Sequence, residues 1–105
     1  MIAVRITARA IRDIEVAADW YEQRKEGLGL EFTDKVLEAI DSIEHNPLAH
    51  AKVIGEGRRV LFDRFPYALW FVIENDAVVI ACLHHKRAVR LARERIAGVI
   101  EIPEP

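Results

Sequence analysis

The sequence predicts an α+β domain. An N-terminal strand and an αα-hairpin pack on an antiparallel sheet (order β-α-α-β-β-β), and a short basic C-terminal helix follows. Three observations lead there. Up to about residue 45 the apolar residues recur every three or four positions, the period of helix faces that share one apolar side. After residue 50 they fall into short runs separated by turn-forming stretches, the pattern of strands. Gly27 and Gly29 divide the helical half in two.

Ile2, Val4 and Ile6 alternate with Ala3 and Arg5, the period of a short half-buried strand. Thr7 supplies a hydroxyl suited to a helix start. Ile11, Ile14, Ala18 and Tyr21 then follow helical spacing, widened by Ala10, Ala17 and Trp20. The second helix places Leu28, Phe32, Val36, Ala39, Ile40 and Ile43 on one face and a run of acids on the other, and Asn46-Pro47 stops it. Ala51–Ile54 reads as a short strand, Gly55-Glu56-Gly57 as a turn, and Arg58–Phe65 as a strand interrupted at Phe65-Pro66. Tyr67–Ile73 and Ala77–Leu83 are apolar on both alternating faces, so they read as central strands covered on both sides. A last helix near Ala88–Ala97 presents Ala88, Leu91, Ala92 and Ile96, with Gly98 as its expected stop. The division expected is one domain over 1–97 and a loosely held tail over 98–105. Because only a short final helix is left to cover one sheet face, that face is expected to keep an open apolar groove.

Composition narrows the function. With 105 residues, 51% hydrophobic and 30% charged, the chain has the make-up of one small globular domain. A net charge of −2 excludes a protein that coats nucleic acid by gross positive charge. The longest apolar stretch, Ala77–Leu83, is too short to span a bilayer, and the N-terminus lacks a signal-peptide apolar region. No membrane partner and a cytoplasmic location are expected. One cysteine, Cys82, excludes an intramolecular disulfide and a cysteine zinc cluster, and neither a cofactor nor a metal is expected. The charge is unevenly spread: −4 over residues 1–49, +4 over 50–97 and −2 over the tail.

The pieces Ala10…Asp13-Ile14, Trp20-Tyr21-Glu22 and Gly27-Leu28-Gly29…Phe32 carry a resemblance when taken in order with four more. These are Ile43…Asn46-Pro47, Arg58-Arg59, Phe65-Pro66-Tyr67 and His84…Arg87. Together they resemble the RelE/ParE superfamily, toxins of bacterial type II toxin–antitoxin (plasmid stabilisation) modules. The resemblance covers about residues 1–97 and is nearest the ParE branch. It implies growth inhibition through DNA gyrase and neutralisation by a cognate antitoxin protein. The alternative it leaves open is a RelE-like, metal-independent endoribonuclease that cuts mRNA on the ribosome.

On that alternative His84 moves the proton, while Arg87 and Arg58 hold phosphate. The resemblance also exposes gaps in the nuclease set: Val60 and Tyr67 stand where the nuclease branch carries cations, and no aromatic residue follows Phe71. On either reading Arg58, Arg59, Arg64, Trp70, Arg87 and Arg90 are the candidate contacts for target or antitoxin. An antitoxin helix is expected to fill the groove, with its acids meeting Arg58, Arg64 or Arg87. Trp20 and Tyr21 read as packing residues, and Asp13 and Glu22 as solvated helix residues or partners of nearby arginines.

Overall fold

The structure, a computed structural model, describes residues 1–99. Strand β1 (Val4–Ile6) leads into helix α1 (Ala8–Arg24) and helix α2 (Leu28–His45). A 3-10 turn over Pro47–Ala49 then opens β2 (Lys52–Ile54), β3 (Gly57–Leu61), β4 (Tyr67–Ile73) and β5 (Ala77–His84). A second 3-10 turn, His85–Arg87, feeds helix α3 (Ala88–Val99). The expected tail, from residue 100 onward, lies outside the described residues, and α3 continues through Gly98 rather than stopping there. None of the described helices is long and apolar enough to cross a membrane.

The sheet runs β1-β5-β4-β3-β2. β1 pairs parallel with β5, and every other pair is antiparallel. The α1–α2 hairpin covers one face, where Phe32, Ile43, Leu69, Phe71 and Val79 are fully buried. An aromatic cluster holds this side: Tyr21 stacks on Phe32, and both meet Phe65 and Tyr67 edge-on. Each large apolar ring or chain buried here contributes on the order of 1.5–3 kcal/mol.

The opposite face corrects the expected open groove. Ala68, Trp70, Val72, Val78, Ile80 and Ala81 are all at most 1% exposed, packed beneath Ala92 and Ile96 of α3. A short helix suffices because it crosses the strands instead of following one. Twelve residues span about 18 Å at the helical rise. The four strands α3 touches, β2 to β5, span only about 14 Å between outer axes.

Two local features place side chains that matter later. The β4–β5 register shifts between Trp70↔Ala81 and Phe71↔Val79, so Ile80 is an extra residue, a β-bulge. Ile80 and Ala81 therefore both face α3, while Cys82 and His84 move to the hairpin side. The strand expected over Arg58–Phe65 ends at Leu61. Beyond it the chain turns through Arg64, whose φ of +69° is unusual for a residue with a side chain. That turn brings both Phe62 and Phe65 into the same core.

The hairpin turn is built by Glu22. Its carboxylate accepts hydrogen bonds from the backbone N–H of Gly27 (3.0 Å) and of Gly29 (2.9 Å), capping α2 from the preceding helix. Gly27 holds a left-handed φ of +89°. Gly29 is needed for a different reason: a Cβ there would lie 2.8 Å from the Ala18 carbonyl and 2.9 Å from the Glu22 carboxylate. Gly29→Ala is expected to lower the unfolding free energy by about 1–2 kcal/mol in urea denaturation, the clash outweighing the gain in helix propensity.

A second tie fixes the crossover from α2 to the sheet. The His50 ring lies 2.9 Å from the Ser42 hydroxyl and edge-on to Phe71, and its carbonyl accepts from Arg58 at 2.7 Å. Burial and the Arg58 charge hold the His50 pKa below the usual 6.5. The unfolded chain therefore binds this proton more readily. The stabilisation is complete above about pH 6.5 and declines as pH falls below it. Urea midpoints at about pH 7.5 and about pH 5 should fall further in the parent than in His50→Gln.

Candidate functional site

β1 is only three residues long, so it pairs with β5 no further than Val79. Beyond that point the chain has turned into α1, and the outer edge of β5 would be bare. Two side chains stand in for the missing strand. Asp13 of α1 accepts from the Cys82 N–H (3.0 Å), and Arg95 of α3 donates to the Ile80 carbonyl (3.0 Å). The two also pair with each other in a bidentate contact, at 2.7 and 3.2 Å. Their side chains are only 17% and 13% exposed, so this is a largely desolvated, charge-assisted pair.

Beside this pair lies a depression of about 340 Å³, bounded by α1, the end of β5 and α3. Arg9 and Arg12 enter it from the first turns of α1, which Thr7 caps through a hydrogen bond from the Ala10 N–H. Arg87 enters from the 3-10 turn, and Tyr67 and His84 line it. The first turn of α1 contains no acid, so two arginines sit at the positive end of a helix dipole that nothing there offsets.

The proton inventory of the depression is one-sided. The oxygens of Asp13 are already engaged by Arg95 and the Cys82 N–H. His84 Nδ1 accepts from the Lys86 N–H at 3.1 Å, so the neutral ring carries its proton on Nε2. Tyr67 sits edge-on to His84. Its pKa is raised, first by burial and then by Tyr21 and Cys82, with Arg87 working the other way. Burial, and next Asp13, push the Cys82 thiol well above its ordinary range, so it is no nucleophile. The site therefore offers donors and positive charge, without an available base.

Arg87 is thus the one predicted site arginine that lies in the depression with His84. Arg58 is elsewhere. It pairs in register with Phe71 on β4, four residues from the Tyr67↔His84 pair and on the other side of that strand. This separates it from His84 by roughly 13 Å along the strands and roughly 10 Å across them. Its guanidinium is committed to the His50 carbonyl, so the trio His84, Arg87 and Arg58 is not assembled.

Arg59 lies on the opposite face of β3, over the Trp70 ring at 5.6 Å. Trp70 itself is fully buried under α3, its indole Nε1 without a partner, and offers no contact surface while α3 is in place. Arg64 is exposed and sits 3.7 Å from Glu31, and Arg90 is exposed and sits 3.6 Å from Glu94. Asp13 is the partner of an arginine, one of the two readings expected of it, and Glu22, though exposed, also caps α2. The sequence reading missed Arg9, Arg12 and Arg95. The signal for the first two was legible, because arginines at i and i+3 directly after a helix cap are electrostatically unfavourable unless an anion meets them.

The sequence matches the family described as ParE toxin of type II toxin–antitoxin system, parDE, over residues 4–89. The chain belongs to the ParE toxin family. It is a type II toxin by that membership. No curated protein sequence matches it. Among solved structures, a chain of the chromosomal ParDE toxin–antitoxin system from P. aeruginosa has the same fold, with a TM-score of 0.68 at 16% identity. The likeness covers 80% of this chain and 96% of that one. The family match ends at Val89, so Arg90, Arg95 and nearly all of α3 lie beyond it in this ParE-family chain.

Asp13→Ala strands the Arg95 guanidinium and the Cys82 N–H together. It is expected to cost about 3 kcal/mol in urea denaturation, the low end of the range for breaking a buried pair, because both side chains keep some exposure. Asp13→Ala with Arg95→Met should recover part of that loss, the sign that an uncompensated charge caused it.

Proposed function

We propose that this chain is a ParE-type toxin that inhibits DNA gyrase and is neutralised by a cognate antitoxin. Family membership supports the toxin class, and the solved relative belongs to a ParDE toxin–antitoxin system. The observation that carries the mechanism is the missing base in the depression. Metal-free cleavage of RNA needs an acceptor for the 2′-hydroxyl proton as well as a donor for the leaving oxygen. Here the lone pair of His84 Nδ1 is occupied by the Lys86 N–H, the Tyr67 hydroxyl holds its proton, and Asp13 is saturated. A general base typically supplies about 10²–10⁴-fold in rate, so a nuclease built on this site would be a poor one.

Arg87 serves the target on this reading, because it is exposed and its charge has no carboxylate partner among the described residues. An antitoxin that brings acidic side chains finds exposed or half-exposed cations at Arg59, Arg64 and Arg90. Because α3 closes the sheet face, that antitoxin meets the outer surface of the fold and not an apolar groove. The domain that does this work, expected over 1–97, takes in α3 through Val99.

Two measurements test the reading. Purified toxin incubated with gyrase and supercoiled plasmid should leave covalently trapped DNA breaks. Arg87→Ala should lower their yield about tenfold with unchanged circular dichroism, the effect of losing one charge-assisted contact. Toeprint mapping on translating ribosomes should find no codon-dependent cuts. Discrete A-site cuts that vanish in His84→Ala would replace this reading with the nuclease.

A further inference from the structure

The charge of this chain is sorted by element. Helix α2 carries five carboxylates against one lysine, while residues 84–97 carry five lysines and arginines against one glutamate. Arg9 and Arg12 join the second group from the far end of the sequence. A second depression of about 530 Å³, lined by His85, Lys86 and Arg90 with Glu94 as its single carboxylate among the described residues, lies next to the first, and Arg87 lines both. Arg87 is thus the divide of one continuous basic ridge.

Much of that ridge is unneutralised. Arg95 is used by Asp13, and Arg90 makes only a loose, solvent-exposed contact with Glu94. Arg9, Arg12, Lys86 and Arg87 have no ion pair among the described residues. The polar groups left over in the first depression are donors, since Asp13 is engaged by Arg95 and the Cys82 N–H and His84 Nδ1 by the Lys86 N–H. Its natural occupant is an anion rich in acceptor oxygens, with more negative charge than one carboxylate brings.

We propose that the ridge of Arg9, Arg12, Lys86 and Arg87 holds successive phosphates of a single nucleic-acid strand. In the toxin reading this means that the protein touches DNA itself when it engages gyrase. That last clause rests on the gyrase proposal; the strand contact does not. Three features favour a strand over an acidic protein segment. The charge extends across two adjoining depressions, as a polyanion requires. Arginine forks dominate the first depression, matching phosphate oxygens. The acidic α2 is a separate element of opposite sign, which orients the molecule with one side toward a polyanion. Tyr67 and His84 are half-buried and His85 is the one exposed ring in the ridge, too few for a stacking platform, so the contact is chiefly to the backbone and sequence-independent.

Fluorescence anisotropy of a short labelled single-stranded DNA tests this with the full chain. Binding at about 50 mM salt should weaken with a log–log slope of about −2 to −3, the release expected for three or four phosphate contacts. The variant Arg9→Gln/Arg12→Gln/Arg87→Gln should bind at least about tenfold more weakly. These three side chains are exposed, so the fold should survive, as circular dichroism will verify. Lys52→Gln, which removes a charge on β2 beyond the ridge, should bind like the parent. No detectable binding, or equal binding by the triple variant, overturns the proposal. So does displacement of the DNA by a glutamate homopolymer at the same charge concentration, which would assign the ridge to an acidic protein. If strand binding fails while gyrase is still trapped, the toxin reading stands and only the DNA contact falls.

Discussion

The Asp13–Arg95 pair is the constraint on which the rest of the molecule hangs. Hydrophobic burial alone would make two half-proteins: a helical hairpin on one sheet face and α3 on the other. The pair is where they meet, on the stretch of β5 edge that β1 is too short to cover. It satisfies the backbone of β5, fastens α3 and engages the one carboxylate that lines the depression among the described residues, all with one set of hydrogen bonds. A buried ion pair is seldom worth much against an apolar replacement. Its value here lies in what it specifies: the side on which α3 closes, and the sign of the charge left facing solvent beside it.

That leftover sign connects fold to function. Thr7 starts α1 with arginines where acids would be more stable, and the bulge at Ile80 turns His84 toward Tyr67 on the hairpin side. The 3-10 turn then delivers Arg87 to the same place. Each of these is a local choice with a small cost. Their sum is a concave surface that donates and does not accept, which suits binding and disfavours proton abstraction. The function proposed above, holding a target complex instead of cutting a phosphodiester, has this requirement.

Much of the architecture was legible in the sequence because it rests on local patterns. The cap at Thr7, the glycine break and the periods of the two helices needed no partner to be read. What escaped depends on who meets whom. Three residues of β1 cannot state that they pair with β5 in parallel. The bulge at Ile80 was hidden because every residue from Ala77 to Leu83 is apolar, so a slip in alternation leaves no trace. An arginine partner for Asp13 was one of the readings, but not which arginine or its burial, since nothing in an amphipathic helix announces that its polar edge will be desolvated. Arg58 followed the family pattern in position, yet its guanidinium is spent on a backbone carbonyl. The open groove was inferred from the length of α3, when the quantity that counts is the angle at which it crosses the sheet.

The parallel pairing of β1 with β5 has a consequence for how the protein is made. Val4 meets Ala77 and Asp13 meets Arg95, so the first and last parts of the chain must find each other before the sheet edge is finished. Contacts of such long sequence separation form late. The α1–α2 hairpin can assemble from local contacts, but Arg87 is not in place, nor α3 over Trp70, until the residues after β5 have joined the sheet. A polypeptide truncated anywhere before Arg87 lacks one wall of the depression entirely. A chain that stops short of Arg87 therefore has its helical hairpin and its strands but not this basic surface.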